Sequence, residues 1–140
     1  MRVNLVDILL GGMLGFGLAR AISRETAIVD SSFESYYPTE STDWKIYATV
    51  TAIPRASKVR VNANYLRSPA DVGLNFLDEK GNVILQVVPV EIETQVERIV
   101  RSKFIDIPRG SVAVQILFRS PDGSIVDLSR VSLEFVRGLL

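Results

Sequence analysis

Downstream of Asp43 the side chains alternate with a period of two: Trp44, Ile46, Ala48 and Val50 fall on one side, Lys45, Tyr47, Thr49 and Thr51 on the other, up to Pro54. A pleated chain sends successive side chains to opposite faces, so the pattern predicts a half-buried strand with Trp44 on the inward side. A second strand is expected over 58–66, with Val59, Val61, Ala63 and Tyr65 inward and a turn at Pro54 before it. A third, over 72–77, turns Val72, Leu74 and Phe76 inward. Asp78, Glu79, Lys80, Gly81 and Asn82 then supply turn chemistry ahead of the apolar run 83–88, so the two runs form a hairpin. Pro89 cannot donate to a central ladder, which predicts a bend or a change of sheet there. Beyond it, 90–100 resumes alternation as one less regular strand, followed by a short strand near 104–107. Val112, Val114, Ile116 and Phe118 alternate with Ala113, Gln115 and Leu117. A turn over 120–124 leads to a final strand carrying Val131, Leu133 and Phe135, as a second hairpin.

Seven or eight short strands, turn signals every 8 to 12 residues or so and no internal amphipathic helix predict a mainly β fold. The expected architecture is an antiparallel β-sandwich, jelly-roll-like or immunoglobulin-like, over 44–140. No repeat of the kind that builds solenoids or propellers is present.

The first 24 residues follow a different rule. Four of the nine glycines fall within seven residues, in the apolar stretch 8–19. On a helix, Gly11, Gly15 and Ala19 are spaced by four and form one groove, with Gly12 and Gly17 beside it, where a second backbone can approach closely. Each glycine costs about 1 kcal/mol relative to alanine inside a helix, so four of them call for a compensating contact. The expectation is one N-terminal apolar α-helix over 1–24, serving as a membrane anchor or as the core of an oligomer. Three settings fit it. A secretory signal peptide would use Arg2, the apolar centre and a small-x-small site at Ala19, Arg20 and Ala21. A transmembrane span over 3–22 has the needed length of about 20 residues but carries Asp7 one turn in. A helix buried against protein matches the twelve-residue charge-free centre. Residues 25–43 turn polar and are expected to form a tether, with Phe33, Tyr36 and Tyr37 packing it onto its own domain.

Charge and composition remove several classes of function. Sixteen basic and sixteen acidic side chains cancel without a long single-sign stretch, so no nucleic acid partner is expected. Histidine and cysteine are both absent. The commonest general base, the commonest metal ligand and the Ser-His and Cys-His nucleophile systems are therefore missing, and neither an enzyme nor a bound cofactor or metal is expected. Glu91, Glu93 and Glu97 sit at odd positions of the 90–100 run and could share a face as glycosidase carboxylates do, but a solvated strand face explains them. Asp78, Glu79 and Asn82, or Asp122 and Ser124, lack the ordered ligand series of an EF-hand and are accounted for as turn residues. The clustered glycines lack the Lys-Ser/Thr pair of a phosphate-binding loop.

An apolar helix ahead of a sandwich domain is the layout of an assembly protein: the helix packs in a membrane or an oligomer core while the sandwich forms the outer shell. In arrangement it resembles pilins and archaeal flagellins, whose apolar N-terminal helices bundle beneath an outer domain. The processing site before the apolar segment and the acidic residue after it have no counterpart here. The expected function is a non-enzymatic structural subunit of a virion or a surface filament. Its partners would be copies of itself, other structural subunits or a lipid membrane. The alternative is a membrane-anchored or secreted sandwich that recognises a glycan or protein, for which Tyr36, Tyr37 and Tyr47 are the candidate surface residues.

Overall fold

The computed structural model describes residues 22–29 and 38–138. The apolar N-terminal segment, with Gly11, Gly12, Gly15, Gly17 and Ala19, therefore lies outside the described residues, as do Tyr36 and Tyr37. Ten strands make up the described part. They are β1 (Ile22–Ile28), β2 (Lys45–Thr51), β3 (Lys58–Tyr65), β4 (Asp71–Leu77) and β5 (Val83–Val87), then β6 (Ile92–Val96), β7 (Ile99–Ser102), β8 (Ile105–Asp106), β9 (Ala113–Arg119) and β10 (Leu128–Gly138). They form two antiparallel sheets, one ordered β1-β10-β3-β7-β6 with β8 also on β3, the other β2-β9-β4-β5.

The pairing is nested. β1 pairs with β10, β2 with β9, β3 with β7 and β8, and β4 with β5. Successive pairs alternate between the two sheets, so the chain is one long hairpin wrapped around a single core, with β6 added at an edge. The core is built from the inward positions of both sheets, chiefly Val59, Val61, Leu74, Phe76, Val114, Ile116, Leu133 and Phe135. Each such side chain contributes about 1.5 to 3 kcal/mol on leaving water. The inward sets expected for β3 and β4 are buried, as are Val114, Ile116 and Phe118 of β9, whereas Val112 lies just before the strand and is 37% exposed; the hairpin through 78–82 is present. The change of sheet at Pro89 is present as well: β5 ends in one sheet and β6 begins in the other, across a cis Val88–Pro89 peptide.

Four expectations are corrected. The strand β1 crosses the boundary placed at residue 24 and takes up the start of the expected tether, because the long β10 offers its backbone edge to a segment whose own pattern is weak. The run 90–100 is not one strand: it turns back at Glu97, which has a positive φ of 57°, to make the β6-β7 hairpin. The strands β9 and β10 are not a hairpin, because they belong to different sheets and the 120–127 segment crosses between them. Tyr47 is not a surface residue. A bulge between Ile46 and Ala48 breaks the period of β2, turning Tyr47 inward and leaving Ile46 58% exposed. A second bulge, at Ser129 to Ser132 with Arg130 at a φ of 51°, lets both Leu128 and Val131 reach the core despite their odd spacing.

Candidate functional site

Tyr47 illustrates why the aromatic candidates for a binding platform do not gather on the described surface. Its ring meets Phe118 edge-on, with centroids 5.5 Å apart and planes at 87°, and its hydroxyl donates to the Leu128 carbonyl at 3.4 Å. The half-buried Trp44 is covered on one face by the Arg119 guanidinium, 4.6 Å from the ring centroid, and Arg119 is itself held by Asp71 at 3.0 Å. These contacts bind one edge of the β2-β9-β4-β5 sheet together rather than presenting a free ring to solvent.

The carboxylates singled out in the sequence have separate duties. Glu91 accepts from Lys103 at 2.7 Å, an exposed pair that raises the lysine's affinity for its proton, chiefly through that hydrogen bond. Glu93 reaches Arg60 at 3.5 Å, and Glu97 makes the β6-β7 turn. Asp78 accepts the amides of Lys80 and Asn82, both at 2.9 Å, and Asp122 accepts the Ser124 amide at 3.0 Å, which lowers its pKa. Each is turn chemistry, with the side-chain oxygen standing in for a backbone acceptor. Among the described residues, no three acidic side chains converge as metal ligands.

The outer surfaces of the two sheets contrast. On the larger sheet Arg60 lies nearly buried between three groups: Glu134 at 2.8 Å, Glu93, and the Phe104 ring 4.4 Å away. Arg24 on β1 closes the network onto Glu134 at 2.8 Å. The smaller sheet instead carries an uncharged row across all four strands. Gln86 donates to Asn75 at 2.8 Å, Asn75 to Gln115 at 3.1 Å, and Gln115 to Thr49 at 3.4 Å. That row is flanked by Leu117, Leu77 and Ala113, and by Gly73, over which Val88 and Trp44 close.

Among the described residues the strand β5 is an uncovered edge of that sheet. Its only ladder partner there is β4, and Val83, Ile84 and Leu85 are 51%, 41% and 40% exposed. No charged residue occurs over 83–90. Folded proteins usually blunt such an edge with charge, proline within the strand or a covering element, because a row of free N–H and C=O groups templates pairing with another chain. From the sequence alone the 83–88 run reads as the second arm of a hairpin. The available signal was its continuous apolar character without alternation, which fits an interior strand and is misplaced on an edge.

One buried charge stands apart. Asp127, 1% exposed, has Oδ2 3.7 Å from Arg67 and an Oδ1 with no hydrogen-bond partner among the described residues.

Fold and surface together define an antiparallel β-sandwich with an uncharged polar row across its smaller sheet and an apolar edge strand. No protein-family model matches the chain. It is similar to Uncharacterized protein 6 of Halorubrum pleomorphic virus 1, with 36% identity over 87 residues, covering 60% of this chain and 46% of that protein. The chain thus spans about half the length of that relative. The similarity points to a viral origin and names no role.

Proposed function

We propose that this protein is a non-enzymatic structural subunit of a virion, with its apolar N-terminal segment packed in a membrane or an oligomer core and its sandwich domain outside. The observation that carries the reading is the β5 edge: three consecutive exposed apolar residues on a strand that, among the described residues, is paired on one side only, in a chain similar to a viral protein. Pairing of this edge with a second copy or another structural subunit would satisfy its free backbone groups and remove Val83, Ile84 and Leu85 from water. The nested, wrapped pairing of strands supports the same reading, because it is the arrangement of a jelly roll, a topology that viral capsid domains employ. Burial of Tyr47 takes from the glycan- or protein-recognition alternative its candidate on the sandwich surface.

Substituting Ile84→Lys places a charge on the open edge, where the folded monomer tolerates it. Static light scattering of the full chain should then show a much smaller particle than the parent, with unchanged far-ultraviolet circular dichroism. An unchanged particle size would remove β5 from the assembly interface.

A further inference from the structure

At one end of the sandwich the β2-β3 connection faces the β8-β9 connection across an open cavity of about 570 Å³. Ile53, Pro54, Ala56, Ile107 and Pro108 contribute apolar lining, and the polar side chains at the cavity are Arg55, Arg109 and Ser111. No carboxylate lines it. Neither Arg55 nor Arg109 has an ion-pair, hydrogen-bond or ring partner among the described residues, whereas Arg24, Arg60, Arg67, Arg98, Arg101 and Arg119 all do.

The backbone adds donors. Ser111 donates its amide to the Pro108 carbonyl at 3.2 Å, closing a four-residue turn with Gly110 at a φ of 93°. A positive φ at the third position of such a turn suits glycine and leaves the two central amides outside the turn's own hydrogen bond. Among the described residues the amides of Arg109 and Gly110 meet no acceptor, and the same holds for those of Arg55 and Ala56. A side chain at position 110 would meet only Ile84, 3.8 Å away, so the approach to the turn is open.

Nearby acids are engaged or displaced: Asp106 is paired with Lys58 at 2.7 Å, and Asp78 is held by its own turn. Glu79 and Lys80 are exposed on the β4-β5 hairpin at the same end.

We infer that this cavity binds a phosphoryl group, held between the Arg55 and Arg109 guanidiniums with the free turn amides as further donors. Two planar forks match tetrahedral oxyanions, and backbone amides in a turn supply donors that need no side-chain ordering. The volume suits a group up to the size of a phosphorylated small molecule. A lipid headgroup and a free phosphate ester share this chemistry.

Equilibrium dialysis of the full chain against radiolabelled inorganic phosphate reads the site whether or not the protein assembles, so it stands or falls apart from the assembly reading. Saturable binding of one phosphate per chain is expected, unaffected by chloride at matched ionic strength. The doubly substituted Arg55→Gln, Arg109→Gln protein should bind about tenfold or more weakly, since each lost charged hydrogen bond carries a penalty of that order. Both arginines are exposed, so circular dichroism and melting should be unchanged. Flotation with phosphatidylglycerol and phosphatidylcholine vesicles separates the sources. Preference for phosphatidylglycerol that the double substitution abolishes identifies a headgroup, whereas phosphate binding without that preference identifies a free ester. Non-saturable phosphate binding, equal competition by chloride, or binding that survives the double substitution would overturn the inference.

Discussion

Gly73 occupies a position on the outer face of the smaller sheet that no other residue fits. A Cβ there would stand 2.5 Å from Val88 Cγ1, 3.0 Å from the Val87 carbonyl and 3.3 Å from Trp44. Overpacking of this kind costs about 1 to 3 kcal/mol, so Gly73→Ala should lower the urea midpoint. A Val88→Ala change in the same chain should recover part of the loss, because it removes the closest clash but leaves the carbonyl contact. Tyr65 makes a different prediction. Its hydroxyl donates to the Ala70 carbonyl at 2.9 Å, and burial, with a smaller contribution from nearby Asp71, raises its pKa above the ordinary value of 10.0. The folded state thus holds the phenolic proton more tightly than the unfolded chain. The associated stability is complete below the unfolded pKa near 10 and is lost as pH rises through the higher folded value. Tyr65→Phe should cost about 1 to 2 kcal/mol at pH 7, through the lost hydrogen bond, and should flatten the decline in stability above pH 10 seen in denaturation at stepped pH.

At the scale of elements, the larger sheet is tied across its strands by charge. Arg24 on β1, Glu134 on β10, Arg60 on β3 and Glu93 on β6 form one network, in which the Arg60 and Glu134 side chains are only 9% and 13% exposed. Removing one charge of such a pair strands the other in a poorly solvated site. Glu134→Gln should therefore destabilise by about 2 to 4 kcal/mol, with the remaining Glu93 and Phe104 contacts softening the loss. By contrast, Lys58→Ala, which breaks an exposed pair, should change stability by less than about 1 kcal/mol, with part of that lost in high salt.

What was legible in the sequence followed the regularity of the ladder. The strands β3, β4 and β9 keep an unbroken period of two over their inward residues, so their buried sets could be read directly from Val59, Leu74 or Ile116. The inversion of Tyr47 and the offset of Leu128 from Val131 could not be read, because each depends on a bulge set by the partner strand. Nor could β1, whose middle residues Ser23, Arg24, Glu25 and Thr26 are polar without alternation and whose strand state comes from β10. Of the two surfaces that bear on function, Val83, Ile84 and Leu85 were visible as an apolar run but not as an edge. Arg55 and Arg109 are 54 residues apart in number, and only the fold brings their turns together.

The described residues form a wrapped antiparallel sandwich whose two outer faces differ in kind, one cross-linked by a network of ion pairs and the other carrying a central uncharged row, with the single Arg119–Asp71 pair at one end, and finishing in the β5 edge. That asymmetry suits a subunit that shows one face to solvent and joins neighbours along the other. Among the described residues no helix is long and apolar enough to cross a membrane, so any contribution of the glycine-rich N-terminal segment to anchoring or packing has to be measured on the intact chain. There, Gly15→Leu should reduce assembly if the small-residue row is a packing groove, while the melting transition of the sandwich stays in place.

The most direct measurement is sedimentation velocity of the full chain with and without detergent. A structural subunit held by protein contacts should sediment as a large particle in both conditions and collapse to a small species on Ile84→Lys. A parent protein that sediments as a monomer without detergent would contradict the assembly role.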